Sequence, residues 1–212
     1  MKPKSYTLTP EAFLSRKERS TLLRTCKERA DRDLMQGRTT WPVRYMLIDM
    51  ALYTGLRVAE LAALRVGDLH LDSDTDPYLI VRNGKGNKRR TVYFDNVVSK
   101  HLRQFLIYKV RTLHQQVEDD SPLFTGREGQ HSPPITLMKS FKMAIYEAHL
   151  RPELSIHACR HTYATFLLHD TQNLRYVQQQ LGHSSIGMTS LYANILPEDN
   201  GRLANMIQRE DE

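Results

Sequence analysis

The sequence predicts an α+β fold, mostly α-helical, with one small antiparallel β-sheet. Three observations carry this reading. Most segments repeat apolar residues at the helical spacing, and the period switches to that of strands once, around Asn83-Gly84. No internal repeat, low-complexity tract or linker interrupts the 212 residues. We therefore expect one domain over residues 1–212, with a helical lead-in over 1–40 and a tail helix over 197–212.

The elements follow in order. Thr9-Pro10-Glu11 reads as an N-cap, a proline at the first helical position and an acid in the first turn. It opens one or two amphipathic helices carrying Phe13, Leu14, Leu22 and Leu23. Residues 32–42 (RDLMQGRTTWP) read as a loop. A clear helix follows, apolar at Val43, Met46, Leu47, Met50 and Ala51 and ending at Gly55; a second, short helix stops at Gly67. Residues 78–82 and 89–94 are β-branched and aromatic, and the Asn-Gly between them marks a hairpin. The next helix buries Val98, Leu102, Phe105 and Leu106. A loop with room for a very short strand at PLFTG leads to helices over 136–149, 157–169 and 173–181.

Composition narrows the setting. Thirty Lys and Arg against 24 Asp and Glu give a net charge of +6, a mild bias towards a polyanionic partner. Two cysteines, Cys26 and Cys159, make no disulfide framework and fit a reducing compartment. The N-terminus lacks the apolar region of a signal peptide, and no apolar run is long enough to span a bilayer. We expect a soluble, cytoplasmic protein without a membrane partner. A nucleophile elbow, a P-loop and a dinucleotide fingerprint are all missing.

Four stretches carry polar groups that ignore the hydrophobic period. In TGLRVAELAALRVGDL, Arg57 follows a glycine turn at a helix start, where backbone N–H groups favour anions, and Glu60 is placed either to hold its guanidinium or to form an i,i+3 surface pair. The hairpin RNGKGNKRR has five basic residues and no acid, and glycines flank Lys85, as suits a finger on a phosphate backbone. In SIHACRHTYATFLLH, His157 and Arg160 share a helical face. Zinc is the rival there, through His157 and His161; Cys159 points elsewhere and the acid of an HExxH site is missing. His161 reads as structural or as a contact to a backbone phosphate. The fourth stretch, LGHSSIGMTSLYAN, sets His183 and Tyr192 nine positions apart with little bulk between them.

In order and spacing these stretches resemble the four signature boxes of the tyrosine recombinase (phage integrase) family. The resemblance runs from about residue 43 to residue 196. It implies a catalytic domain that cuts and rejoins DNA through a phosphotyrosine, without metal, nucleotide or other cofactor. Arg57 and Arg160 match the phosphate-clamping arginines, Lys85 the hairpin lysine, His157 and His183 the two histidines, and Tyr192 the nucleophile. Lys88, Arg89, Arg90 and His161 are expected on DNA, with Glu60 as support. Partners implied are double-stranded DNA, a homo-tetramer on paired sites, and an accessory DNA-bending or core-binding protein. Only about forty residues precede the first catalytic helix, so the chain resembles the short recombinases without an N-terminal core-binding domain, the alternative being a piece cut from a longer protein.

The chemistry is consistent with this. A phenol with a pKa near 10 costs roughly 4 kcal/mol to ionise at neutral pH, within reach of a base such as His157. Two arginines and a His183 N–H offer charge-assisted bonds of about 1.5–3 kcal/mol each to a phosphorane. Lys85 can protonate the departing 5′-oxygen. The alternatives are a type IB topoisomerase, with a similar site and no strand exchange, and a DNA-binding regulator that has lost catalysis.

Overall fold

A computed structural model describes residues 9–71, 76–82 and 89–193. Among them are eight α-helices: α1 Arg16–Met35, α2 Thr40–Thr54, α3 Val58–Ala63, α4 Asn96–Arg111, α5 Pro134–Glu147, α6 His157–Thr171, α7 Leu174–Leu181 and α8 Ile186–Ser190. Between α3 and α4 lies a three-stranded antiparallel sheet of β1 Leu69–His70, β2 Tyr78–Val81 and β3 Arg90–Tyr93, in that order. Val81 pairs with Arg90 at the end of the hairpin next to the connection between its strands. Lys85, Lys88 and the expected tail helix over 197–212 lie outside the described residues.

Helix α2 is the hub. Its Met46, Leu47, Ile48, Met50, Ala51 and Leu52 are all buried, as expected of a helix packed on every side by α1, α4, α5 and α6. The lead-in belongs to this core, since Leu14, Leu22 and Cys26 are fully buried in it. Arg151 fastens it further, donating to Glu18 and to the Glu11 and Phe13 carbonyls. A second, smaller core joins Ala164 and Leu168 of α6 to Val177 and Leu181 of α7, and Tyr192 completes it.

Several local expectations change. The first long helix starts at Ser15, whose hydroxyl accepts from the Glu18 N–H while Glu18 accepts from the Ser15 N–H; Pro10–Ala12 forms only a 3-10 turn. The loop expected over 32–42 shrinks to residues 36–39. Polar composition misled there, because Asp33 is buried and accepts from the Trp41 N–H, joining the two helices. Helix α3 ends at Ala63 and not at Gly67. The chain leaves the helix early because tertiary bonds claim it: Val66 N donates to Ser121 O, Gly67 N to Asp119 O, and Leu123 N to Leu64 O. The short strand suspected at PLFTG amounts to two isolated pairings, Arg65 with Pro122 and Thr125 with His131. Lys109 organises this loop; its buried ammonium donates to the Pro122 and Leu123 carbonyls and to Gln115 and Thr125. The two-residue strand β1 carries no sequence signal.

Candidate active site

The site is assembled from two left-handed glycine turns. Helix α2 ends at Gly55 (φ 60°) and α7 at Gly182 (φ 64°), a conformation that glycine adopts without strain. Arg160 on α6 lies between them, nearly buried. Its Nη1 donates to Gly55 O and its Nη2 to Leu181 O, each at 2.7 Å. One guanidinium thus joins the turn that leads into Arg57 to the turn that leads into His183. Bonds of this kind contribute about 1.5–3 kcal/mol each. Burial, then the nearby Arg57, pulls Arg160 down to about 10, which leaves it charged at neutral pH. These two bonds use two of the five donors of a guanidinium, and the rest suit an anion.

Gly55 has a second constraint. A Cβ there would stand 2.4 Å from Cδ1 of Tyr163, on top of the strain at positive φ. Gly55→Ala is therefore expected to cost about 2–4 kcal/mol, measured by denaturant unfolding. A loss below about 0.5 kcal/mol, the range of ordinary surface substitutions, would contradict this tight turn.

Arg57 is the N-cap of α3 and keeps a quarter of its side chain exposed. Its backbone N–H donates to Glu60 Oε2 at 2.8 Å and its Nη1 to Oε1 at 2.9 Å, the support foreseen from the i,i+3 spacing. The same carboxylate takes a second arginine. Arg90 donates through Nη1 and Nη2 to Oε1 and Oε2, at 2.8 and 2.9 Å. Burial alone would raise the Glu60 pKa, but the bonds and charge of Arg90, then those of Arg57, outweigh it and hold it at about 2. Arg90 therefore points inward, whereas a place on the DNA surface was expected; its neighbour Arg89 is exposed.

His183 follows the second glycine turn, and its Nδ1 lies 3.0 Å from the Thr189 hydroxyl. Its ring stacks at 6.4 Å on that of Tyr192. Tyr192 is 6% exposed, just beyond α8, and its hydroxyl lies 3.0 Å from Nδ1 of His161. The sequence offered two roles for His161, and neither included a bond to the tyrosine. His157 occupies the exposed first position of α6. Cys159 is fully buried in the main core, apart from it. Among the described residues no three His, Cys, Asp or Glu side chains form a metal-binding group. No described helix is long and apolar enough to cross a membrane.

The groups converge on one electrostatic locus. His183 is lowered to about 4, by burial first and then by Arg160, Arg57, Arg90 and His161. His161 is also lowered to about 4, by burial, His157 and Arg160. Both are neutral at pH 7. Because their folded values lie below the ordinary 6.5, their stabilising contribution is full above pH 6.5 and is lost as the pH falls through about 4. An anion held by Arg57 and Arg160 would favour protonated His183. We expect its NMR titration midpoint to rise from about 4 when sulfate is added. A midpoint unmoved by sulfate would argue against an anion site beside it.

Residues 12–199 match the Phage integrase family. The chain belongs to this family. Among its relatives, tyrosine recombinase XerD of Oceanobacillus iheyensis is 30% identical over 162 residues, covering 76% of this chain and 52% of the relative. Tyrosine recombinase XerC of Mycobacterium tuberculosis is 33% identical over 150 residues, 71% of this chain and 49% of the relative. The chain thus spans about half the length of these relatives. The crystal structure of XerA recombinase aligns with a TM-score of 0.73 at 26% identity, over 97% of this chain and 68% of that one. The phage integrase fold accounts for the mostly helical domain with its small antiparallel sheet.

Sequence reasoning missed Gln180. Its carbonyl accepts from Arg90 Nε at 3.0 Å and its side-chain oxygen from the Tyr93 N–H at 3.0 Å, joining α7 to β3. A glutamine that ends a run of three on a short helix carries no signal of such a role.

Proposed function

We propose that the chain is the catalytic part of a site-specific DNA recombinase that cleaves and rejoins strands through a 3′-phosphotyrosyl intermediate. The observation that carries this reading is the convergence of Arg57 and Arg160 on His183, whose ring stacks on that of Tyr192. Two guanidiniums and an imidazole suit the charge of a phosphorane, and nothing in the reaction needs a nucleotide, because the phosphotyrosyl link conserves the bond.

The step balances simply. The Tyr192 oxygen bonds to phosphorus while its proton passes to a base, for which we propose His157. The bond from phosphorus to the 5′-oxygen breaks, and Lys85 protonates that oxygen. Attack by the freed 5′-hydroxyl of a second strand reverses these transfers and releases Tyr192. With the tyrosine resting against His161, cleavage requires its hydroxyl to turn out of the smaller core. The partner proposed is duplex DNA, with a tetramer of the protein forming on paired sites, and Arg89 and Lys88 on the phosphate backbone.

Trapping tests the reading. Incubation with a pool of nicked duplexes in EDTA, then SDS, should leave covalent protein–DNA adducts enriched in one sequence, and the adduct should exchange strands between two such sites. Relaxation of supercoiled plasmid without exchange would instead indicate a topoisomerase. Absence of any adduct would contradict the proposal. Within this mechanism, Lys85→Ala should slow cleavage about 100-fold or more and recover on DNA whose bridging 5′-oxygen is sulfur, since a thiolate leaves without a proton. Rescue of Lys88→Ala in place of Lys85→Ala would move the acid along the hairpin.

A further inference from the structure

We propose that Arg90 is a positioning residue that keeps Arg57 open to the scissile phosphate and fastens the root of the basic hairpin to the His183 turn. The inference rests on the function proposed above. It starts from how Glu60 is shared. Each carboxylate oxygen accepts one bond from Arg90 and one from Arg57. Arg90 supplies the two-pronged guanidinium contact; Arg57 supplies its backbone N–H and a single side-chain nitrogen.

That division matters because the fork-to-fork geometry is the strongest an arginine and a carboxylate can adopt. Were Arg90 absent, Glu60 would be a buried carboxylate with one arginine beside it, and Arg57 would close on it with both prongs. The guanidinium meant for the phosphate would then be spent inside the protein. Arg90 occupies those positions and so leaves Arg57 with free donors. Three of its own donors are committed, Nη1 and Nη2 to Glu60 and Nε to Gln180 O, and the side chain is 11% exposed.

The same residue sets the second half of the site. Gln180 lies in the last turn of α7, and the turn after it contains Gly182 and His183. A Cβ on Gly182 would come within 2.8 Å of Arg90 Cδ, so the turn closes directly over the arginine's stem. Arg90 is also the first residue of β3, five positions after Lys85 in the sequence. One side chain therefore ties together Arg57, the His183 turn and the start of β3. Lysine cannot replace it, because a single ammonium does not span both carboxylate oxygens and the Gln180 carbonyl.

The test compares Arg90→Met and Arg90→Lys with the unaltered chain on one duplex site. A phosphate contact and a positioning role predict opposite patterns. If Arg90 positions, the slope of log affinity against log salt stays unchanged, covalent adduct forms at least about 100-fold more slowly in both variants, and the Arg57 Nε–H signal shifts in NMR spectra without DNA. Adding Glu60→Gln to Arg90→Met should restore adduct formation by about tenfold, because the carboxylate that captures Arg57 is gone. A merely structural arginine would give two losses that add. The proposal is overturned by a salt slope smaller by about one with unchanged adduct rate per bound complex, by additive losses in the double variant, or by an unmoved Arg57 signal. If the unaltered chain forms no adduct, the functional reading fails, and the salt slope and the Arg57 signal still decide the role of Arg90.

Discussion

Tyr192→Phe is expected to bind duplex DNA as the unaltered protein does and to form no covalent adduct. Only the attacking oxygen is removed, and losses for a missing nucleophile exceed about 10⁴-fold. The fold should persist. The ring still fills the small core with Ala164, Leu168, Val177 and Leu181, and the lost bond to His161 is worth about 1 kcal/mol. An SDS-stable protein–DNA band surviving in the variant would show that another residue attacks.

Arg160→Ala is expected to fail in two separable ways. Removing the guanidinium leaves the Gly55 and Leu181 carbonyls without their donor, which should cost about 2–4 kcal/mol in denaturant unfolding. It also removes a donor from the developing phosphorane, slowing single-turnover adduct formation by about 10³-fold in protein shown to be folded. Arg160→Lys keeps the charge but cannot reach both carbonyls, so it should recover part of the stability and little of the rate. Unfolding of Arg160→Ala at the unaltered denaturant midpoint would mean the two carbonyl bonds carry no load.

Elements with a strong local period were legible in the sequence. Met46, Leu47, Met50 and Ala51 mark α2, and the β-branched and aromatic runs flanking Asn83-Gly84 mark β2 and β3. What depended on distant partners was not. Asp33 looks like a loop residue until Trp41 donates to it, and the end of α3 is set by Ser121 and Asp119, more than fifty residues on. The site divides the same way. Arg57 and Glu60 are three apart on one helix, so their pairing could be foreseen. Arg90 sits in a run of basic residues that reads as solvent-facing, and its partner Glu60 lies thirty positions earlier. The contact of His161 with Tyr192 spans α6 to the turn after α8, beyond any spacing rule.

The central claim is that Tyr192 attacks a phosphodiester held by Arg57, Arg160 and His183, and the direct measurement is peptide mapping of the trapped adduct. Covalent complex captured on a nicked duplex is digested with protease and nuclease, and the residual nucleotide is located by mass spectrometry. The account predicts a 3′-phosphate esterified to the phenol of Tyr192, with the opposing DNA end bearing a free 5′-hydroxyl. A nucleotide on any other side chain, or a link through a 5′-phosphate, would contradict it.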